Sequence, residues 1–163
     1  MAGVIRRYVF KTSALALLAP VGAYTSDGNR DPDLGECQVL RADEGSKVAF
    51  RAYAEGYQVY RWTGTGWAFV GPEAILFDND GEVVGIHYAG PTWESLSGSK
   101  VRAVVSERCT PDPDAIPWLL LDSVGSEGPG IFHRVTQIQR LYTWGGLAPD
   151  YPGEFVGEEV GVP

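Results

Sequence analysis

The chain has 163 residues, of which 44% are apolar, and carries a formal charge of −8. That length suits one domain, since domains run about 100 to 200 residues, and the apolar share is enough to build a core. The acidic balance excludes a nucleic-acid partner, because phosphate binding needs a basic face.

Residues 1–23 read as an export signal. Arg6, Arg7 and Lys11 supply a positive start, the apolar run of residues 13–23 follows, and Val21-Gly22-Ala23 offers small residues for cleavage. RRYVFK bears a loose, imperfect likeness to a twin-arginine signal. The apolar run falls short of the roughly 20 residues that cross a bilayer, so the mature chain is expected to have no transmembrane segment. The expected location is secreted or periplasmic. Residues 24–36 (YTSDGNRDPDLGE) are polar and rich in Gly, Pro and Asp, the texture of a linker. A single β domain is expected over residues 37–163. Cys37 and Cys109 are the two cysteines. Exported chains usually pair theirs, and the alternative is two isolated thiols. Cys37 does not suit lipid modification, because Glu36 precedes it and no apolar run leads up to it.

In chain order, Lys47–Arg51 is a short strand or a helical turn, and Tyr57–Trp62 alternates cleanly. Thr-Gly-Thr-Gly then turns the chain into Trp67–Val70, a hairpin. Ala74–Phe77, the turn Asp78-Asn79-Asp80-Gly81 and Glu82–Tyr88 form a second hairpin. In its second strand Val84, Ile86 and Tyr88 share one face, and Val83, Gly85 and His87 the other. Lys100–Ser106 alternates again, with Val101, Ala103 and Val105 inward. After the proline loop TPDPD, Ile116–Leu121 is apolar without alternation, as in a strand covered on both faces. Ile131–Trp144 reads as one long strand. No amphipathic helix of a dozen residues follows the signal. The expected fold is all-β, an antiparallel sandwich or partly open barrel of about seven strands.

Candidate chemistry is sparse. Asp78–Glu82 begins like a calcium loop but lacks the later ligands, so it is a turn. Two histidines, His87 and His133, with scattered acids form no metal-ligand spacing, and neither metal nor cofactor is expected. His87 is followed within a strand and a loop by Trp93 and Glu94, and Glu73 immediately precedes the strand Ala74–Phe77. A histidine near a carboxylate can move protons, although a packed histidine bonded to backbone is the commoner case. Five tryptophans and eight tyrosines invite stacking on sugar rings, yet aromatics also fill β cores. Trp118 suits the core, whereas Trp93 and Trp144, beside glycines at loop edges, suit a ligand. Gln137, Gln139 and Arg140 could line a pocket, but a solvated outer face is the simpler reading. The nucleophile elbow, the dinucleotide and phosphate-loop glycine patterns and Cys-x-x-Cys are all missing from the sequence.

Four segments together resemble one family: GYQVYRW (56–62), PEAILFDNDGEVVGIHYAGPTWESLSGSKV (72–101), AIPWLLL (115–121) and VTQIQRLYTWGGLAP (135–149). They are similar to an uncharacterised secreted domain-of-unknown-function family of bacteria and fungi. Its fungal members often carry a malate dehydrogenase label, which the missing nicotinamide-binding glycines do not support here. The resemblance implies an exported β domain and transfers no catalytic residue. It also implies a last aromatic strand beyond a position like Pro163. Here the sequence stops at Gly161-Val162-Pro163, so either it is truncated or the sheet lacks its closing strand, which would leave an edge unpaired.

The functional expectation is a module that binds a small molecule or glycan or serves at the cell surface, through His87, Trp93, Glu94, Glu73 and Trp144. The competing expectation is an extracytoplasmic hydrolase or lyase using His87 with Glu94 or Glu73.

Overall fold

The computed structural model describes the backbone of residues 13–20 and all of residues 31–163. The basic start of the expected export signal, its Ala23 junction and residues 24–30 of the expected linker lie outside the described residues.

Short turns made by Gly, Asp and Thr set the strand register. In the first, Thr63 N–H donates to the Gly66 carbonyl at 2.9 Å while Gly64 adopts φ +95°. In the second, Asp78 Oδ1 accepts from the backbone N–H of Asp80 and Glu82, an Asx turn closed by Gly81 at φ +82°. Between the turns, β-branched and aromatic residues favour extended backbone. The strands are β1 (Ser13–Pro20), β2 (Ser46–Trp62), β3 (Trp67–Phe77), β4 (Val83–Tyr88), β5 (Thr92–Ser95), β6 (Lys100–Cys109), β7 (Trp118–Glu127), β8 (Gln137–Leu141) and β9 (Glu159–Val162).

All nine strands belong to one antiparallel sheet, ordered β1-β8-β7-β6-β5-β4-β3-β2-β9. β1 also pairs with β2 and curls the sheet round into a barrel; β1 is the apolar run of the expected export signal, and without it β8 to β9 form a partly open barrel of eight strands. The edge of β2 has two partners: β1 along Ser46–Ala54 and β9 along Gln58–Arg61. The chain's own end thus covers Gln58–Arg61 of this edge, and Ser46–Ala54 is covered by β1.

The inner face is apolar over most of its height. Ala52, Leu76, Trp93, Val101, Ala103, Leu119, Leu121 and Ile138 form the core with Phe132 and Val135. Outside the wall, the 3-10 turn Gln38–Leu40 covers the other face of β7 and β8. There Leu34, Cys37 and Leu40 pack on Leu120 and Leu141, with Cys109 and Trp118 alongside. Leu119, Leu120 and Leu121 are therefore all buried, two inward and one under this cover. Cys37 and Cys109 are joined in a disulfide with Cα atoms 5.6 Å apart.

Two strand expectations change. Lys47–Arg51 and Tyr57–Trp62 are parts of one 17-residue strand, continuous through the intervening AYAEG. The long strand expected over Ile131–Trp144 shrinks to Gln137–Leu141. Gly128 and Gly130 at positive φ lead into turns over residues 131–134, and Tyr142 at φ +54° ends the strand. Val105 keeps the inward side of β6, opposite the core residue Leu121, but is 38% exposed, next to a bulge at Val105/Glu107.

Gly56 marks a close approach of β2 to β3. A Cβ there would sit 2.0 Å from the Glu73 carbonyl oxygen and 2.5 Å from Ala74 Cα. Both are backbone, so neither can swing aside. Gly56→Ala is expected to cost about 1–3 kcal/mol in urea unfolding, the usual range for overpacking. An unchanged midpoint would contradict this contact.

Candidate functional site

Small residues on one wall and large ones on the opposite wall leave space inside the barrel. Ala54, Gly56 and Ala74 on β2 and β3 face His87, Trp93 and Arg140 across a cavity of about 70 Å³. It lies beside the point where the β2 edge passes from β1 to β9, with Val162 and Pro163 in its lining.

His87 and Trp93 are directly opposite each other on β4 and β5. The tight turn between them, with Gly90 at φ +90°, makes this pairing possible. Their rings stack at 4.2 Å between centroids and 9° between planes. His87 Nδ1 lies 2.9 Å from the Thr92 carbonyl, which can only accept, so Nδ1 carries the proton and Nε2 the lone pair. Burial lowers the His87 pKa to about 4; the Thr92 bond opposes the shift and the nearby Arg140 cation adds to it. The ring is neutral at pH 7. Trp93 is 1% exposed, and its Nε1–H has no hydrogen-bond partner.

Arg140 reaches the cavity from β8. It is paired across strands with Leu119, a core residue, and so faces inward. Its Nη2 donates to the Pro117 carbonyl at 2.8 Å, while Nε is buried without a partner. Burial lowers its pKa to about 10, which still leaves it charged at pH 7; Tyr60 opposes that shift and Arg108 adds to it. A loop of unusual backbone closes this end of the barrel. Gly145 and Gly146 adopt φ +61° and +75°, Tyr60 Oη donates to the Gly146 carbonyl at 2.7 Å, and Gly146 N–H donates to the Pro163 carbonyl. Trp144 rides on this loop, 46% exposed, and lines the cavity.

Of the five residues singled out by sequence, His87, Trp93 and Trp144 come together at the cavity, and the two glutamates do not. Glu94 is on the outer face, where Lys100 at 3.1 Å and then the Tyr88 hydroxyl at 3.0 Å hold its carboxyl below the ordinary range. Glu73 is exposed on β3 and is paired with Tyr88 and Tyr57. His133 is exposed in the turn before β8. Among the described residues no group of three or more His, Cys, Asp or Glu is placed to hold a metal ion. No helix among them is long and apolar enough to cross a membrane.

Reading β8 as a solvated face missed the second half of the site. Gln137 and Gln139 are buried at 5% and 2%, bonded to Asp122 and to the Leu40 carbonyl. Arg140 lines the cavity itself. Only a covering element outside the barrel makes both faces of this strand internal, and Gln38–Leu40 carries little sign of that role.

A family described as "Protein of unknown function (DUF3455)" matches residues 42–163, and the chain belongs to it. The matched span holds β2 to β9 and every residue of the cavity named above. No curated protein and no solved structure matches the chain.

Proposed function

We propose that this chain is an exported binding module of the secreted or periplasmic space, and that the cavity at the barrel end takes part of a small molecule. One observation carries the binding reading: Trp93 Nε1–H and Arg140 Nε are buried without partners beside the same cavity. Buried donors are ordinarily satisfied, and leaving one unmet costs about 1–3 kcal/mol. A ligand that accepts from them offsets this cost. Export is supported by the leader-like start of the sequence and by the Cys37–Cys109 disulfide, since such bonds persist in oxidising compartments.

The small-molecule reading is favoured over stacking on a sugar ring at Trp93. One face of that indole is covered by His87 and the residue is 1% exposed, so the accessible aromatic faces in the cavity lining are those of Trp144 and Tyr57. The histidine–glutamate enzyme is not favoured, because His87 faces inward while Glu94 and Glu73 lie outside.

A thermal-shift screen of sugars, small organic acids, amines and divalent metals tests the reading. A ligand at 100 times its Kd should stabilise the protein by about 2.7 kcal/mol. His87→Gln and Trp144→Ala should reduce that shift. A shift left intact by both substitutions would place the binding site elsewhere, and no shift with any class would remove the binding function.

A further inference from the structure

We infer that the cavity takes the carboxylate end of a small organic acid, anchored by Arg140 and Trp93. This rests on the cavity being the binding site and adds the chemistry of its ligand.

Charge makes the first argument. The chain has 21 acidic residues against 13 basic ones, yet among the described residues no carboxylate pairs with Arg140. The carboxylates of Glu94 and Glu159 are taken by Lys100 and Arg61 on the outside of the barrel. An inward-facing guanidinium without a counter-ion is costly, and that cost is relieved by an anion brought from outside. Hydrogen bonding makes the second. The unmet groups at the cavity, Arg140 Nε–H and Trp93 Nε1–H, are both donors. An ionised carboxylate is an acceptor only, so it presents no hydrogen that would itself need a partner. Size and wall chemistry make the third. About 70 Å³ is roughly half the ~150 Å³ of an apolar cavity that holds benzene, which suits a carboxylate better than a ring. Ala54, Pro72, Ala74, Ile116 and Val162 form apolar parts of the wall. Against them a phosphate, with more oxygens and more charge, would leave acceptors unmet, whereas two carboxylate oxygens face two donors.

The test follows the indole N–H of Trp93 by nitrogen–proton NMR, its resonance assigned with Trp93→Phe. Sodium acetate and sodium butyrate are titrated against sodium phosphate and sodium chloride at matched ionic strength. The expected result is a saturable shift with acetate and butyrate only, weakened at least about tenfold in Arg140→Gln, as expected for loss of one partner of a buried charge contact. A bound anion should also raise the pKa of His87, which the Arg140 cation now lowers. Equal or tighter saturation with phosphate, or equal saturation in Arg140→Gln, would overturn the carboxylate assignment. If carboxylates fail but a neutral ligand from the thermal screen shifts Trp93, this inference falls and the binding site stands. If nothing shifts Trp93, both fall.

Discussion

Replacing Cys37 and Cys109 together by alanine is expected to lower the unfolding free energy by about 4 kcal/mol, the chain-entropy value for a bridge across 72 residues. The bridge ties the segment before β2 to the end of β6, and Cys37 is fully buried. Releasing it frees the 3-10 turn, which covers Leu120 and Leu141 and supplies the Leu40 carbonyl to Gln139. The apolar cover and a buried amide bond should therefore weaken together. Urea unfolding of the oxidised protein beside the double variant measures the difference. A loss below about 1 kcal/mol would mean that the reduced chain stays constrained in other ways.

The second large effect is a dependence on pH that originates at His87. Its folded pKa of about 4 lies below the ordinary 6.5, so the unfolded chain binds this proton more readily than the folded one. Stability from this group is fully present above about pH 6.5 and is lost as pH falls toward 4, amounting to about 3 kcal/mol over that window. Unfolding by urea at pH 7.5 and 4.5, in the wild type and in His87→Gln, isolates the contribution. The wild type should lose about 2–3 kcal/mol more than the variant between the two pH values. Equal losses would show that His87 is protonated in the folded protein, at odds with its burial beside Arg140.

Both effects come from groups whose positions were only partly legible in the sequence. The hairpins were legible, because Thr63–Gly66 and Asp78–Gly81 are turns whose chemistry is local. The buried run Leu119–Leu121 was legible because the absence of alternation means cover on both faces. The two faces of β4 were also readable, but which one turns inward was not. Hydrophobicity favours Ile86 inside, yet Ile86 is 43% exposed and His87 is 9% exposed. The cross-strand stack on Trp93 and the bond to the Thr92 carbonyl decide the matter, and both depend on the β4–β5 pairing. Arg140 was hidden for a related reason. Its neighbours Gln137 and Gln139 suggest water, yet they are buried on the side of β8 under the 3-10 turn, held by a bond between cysteines far apart in sequence, while Arg140 faces the barrel interior.

The interior cluster itself is the central claim: His87, Trp93 and Arg140 form a ligand pocket and not merely an imperfectly packed core. A high-resolution crystal structure of the protein grown in sodium acetate tests it most directly. The account predicts a carboxylate in the cavity, accepting hydrogen bonds from Arg140 and from Trp93 Nε1. A cavity closed by repacked side chains, or one holding only water on both donors, would contradict it.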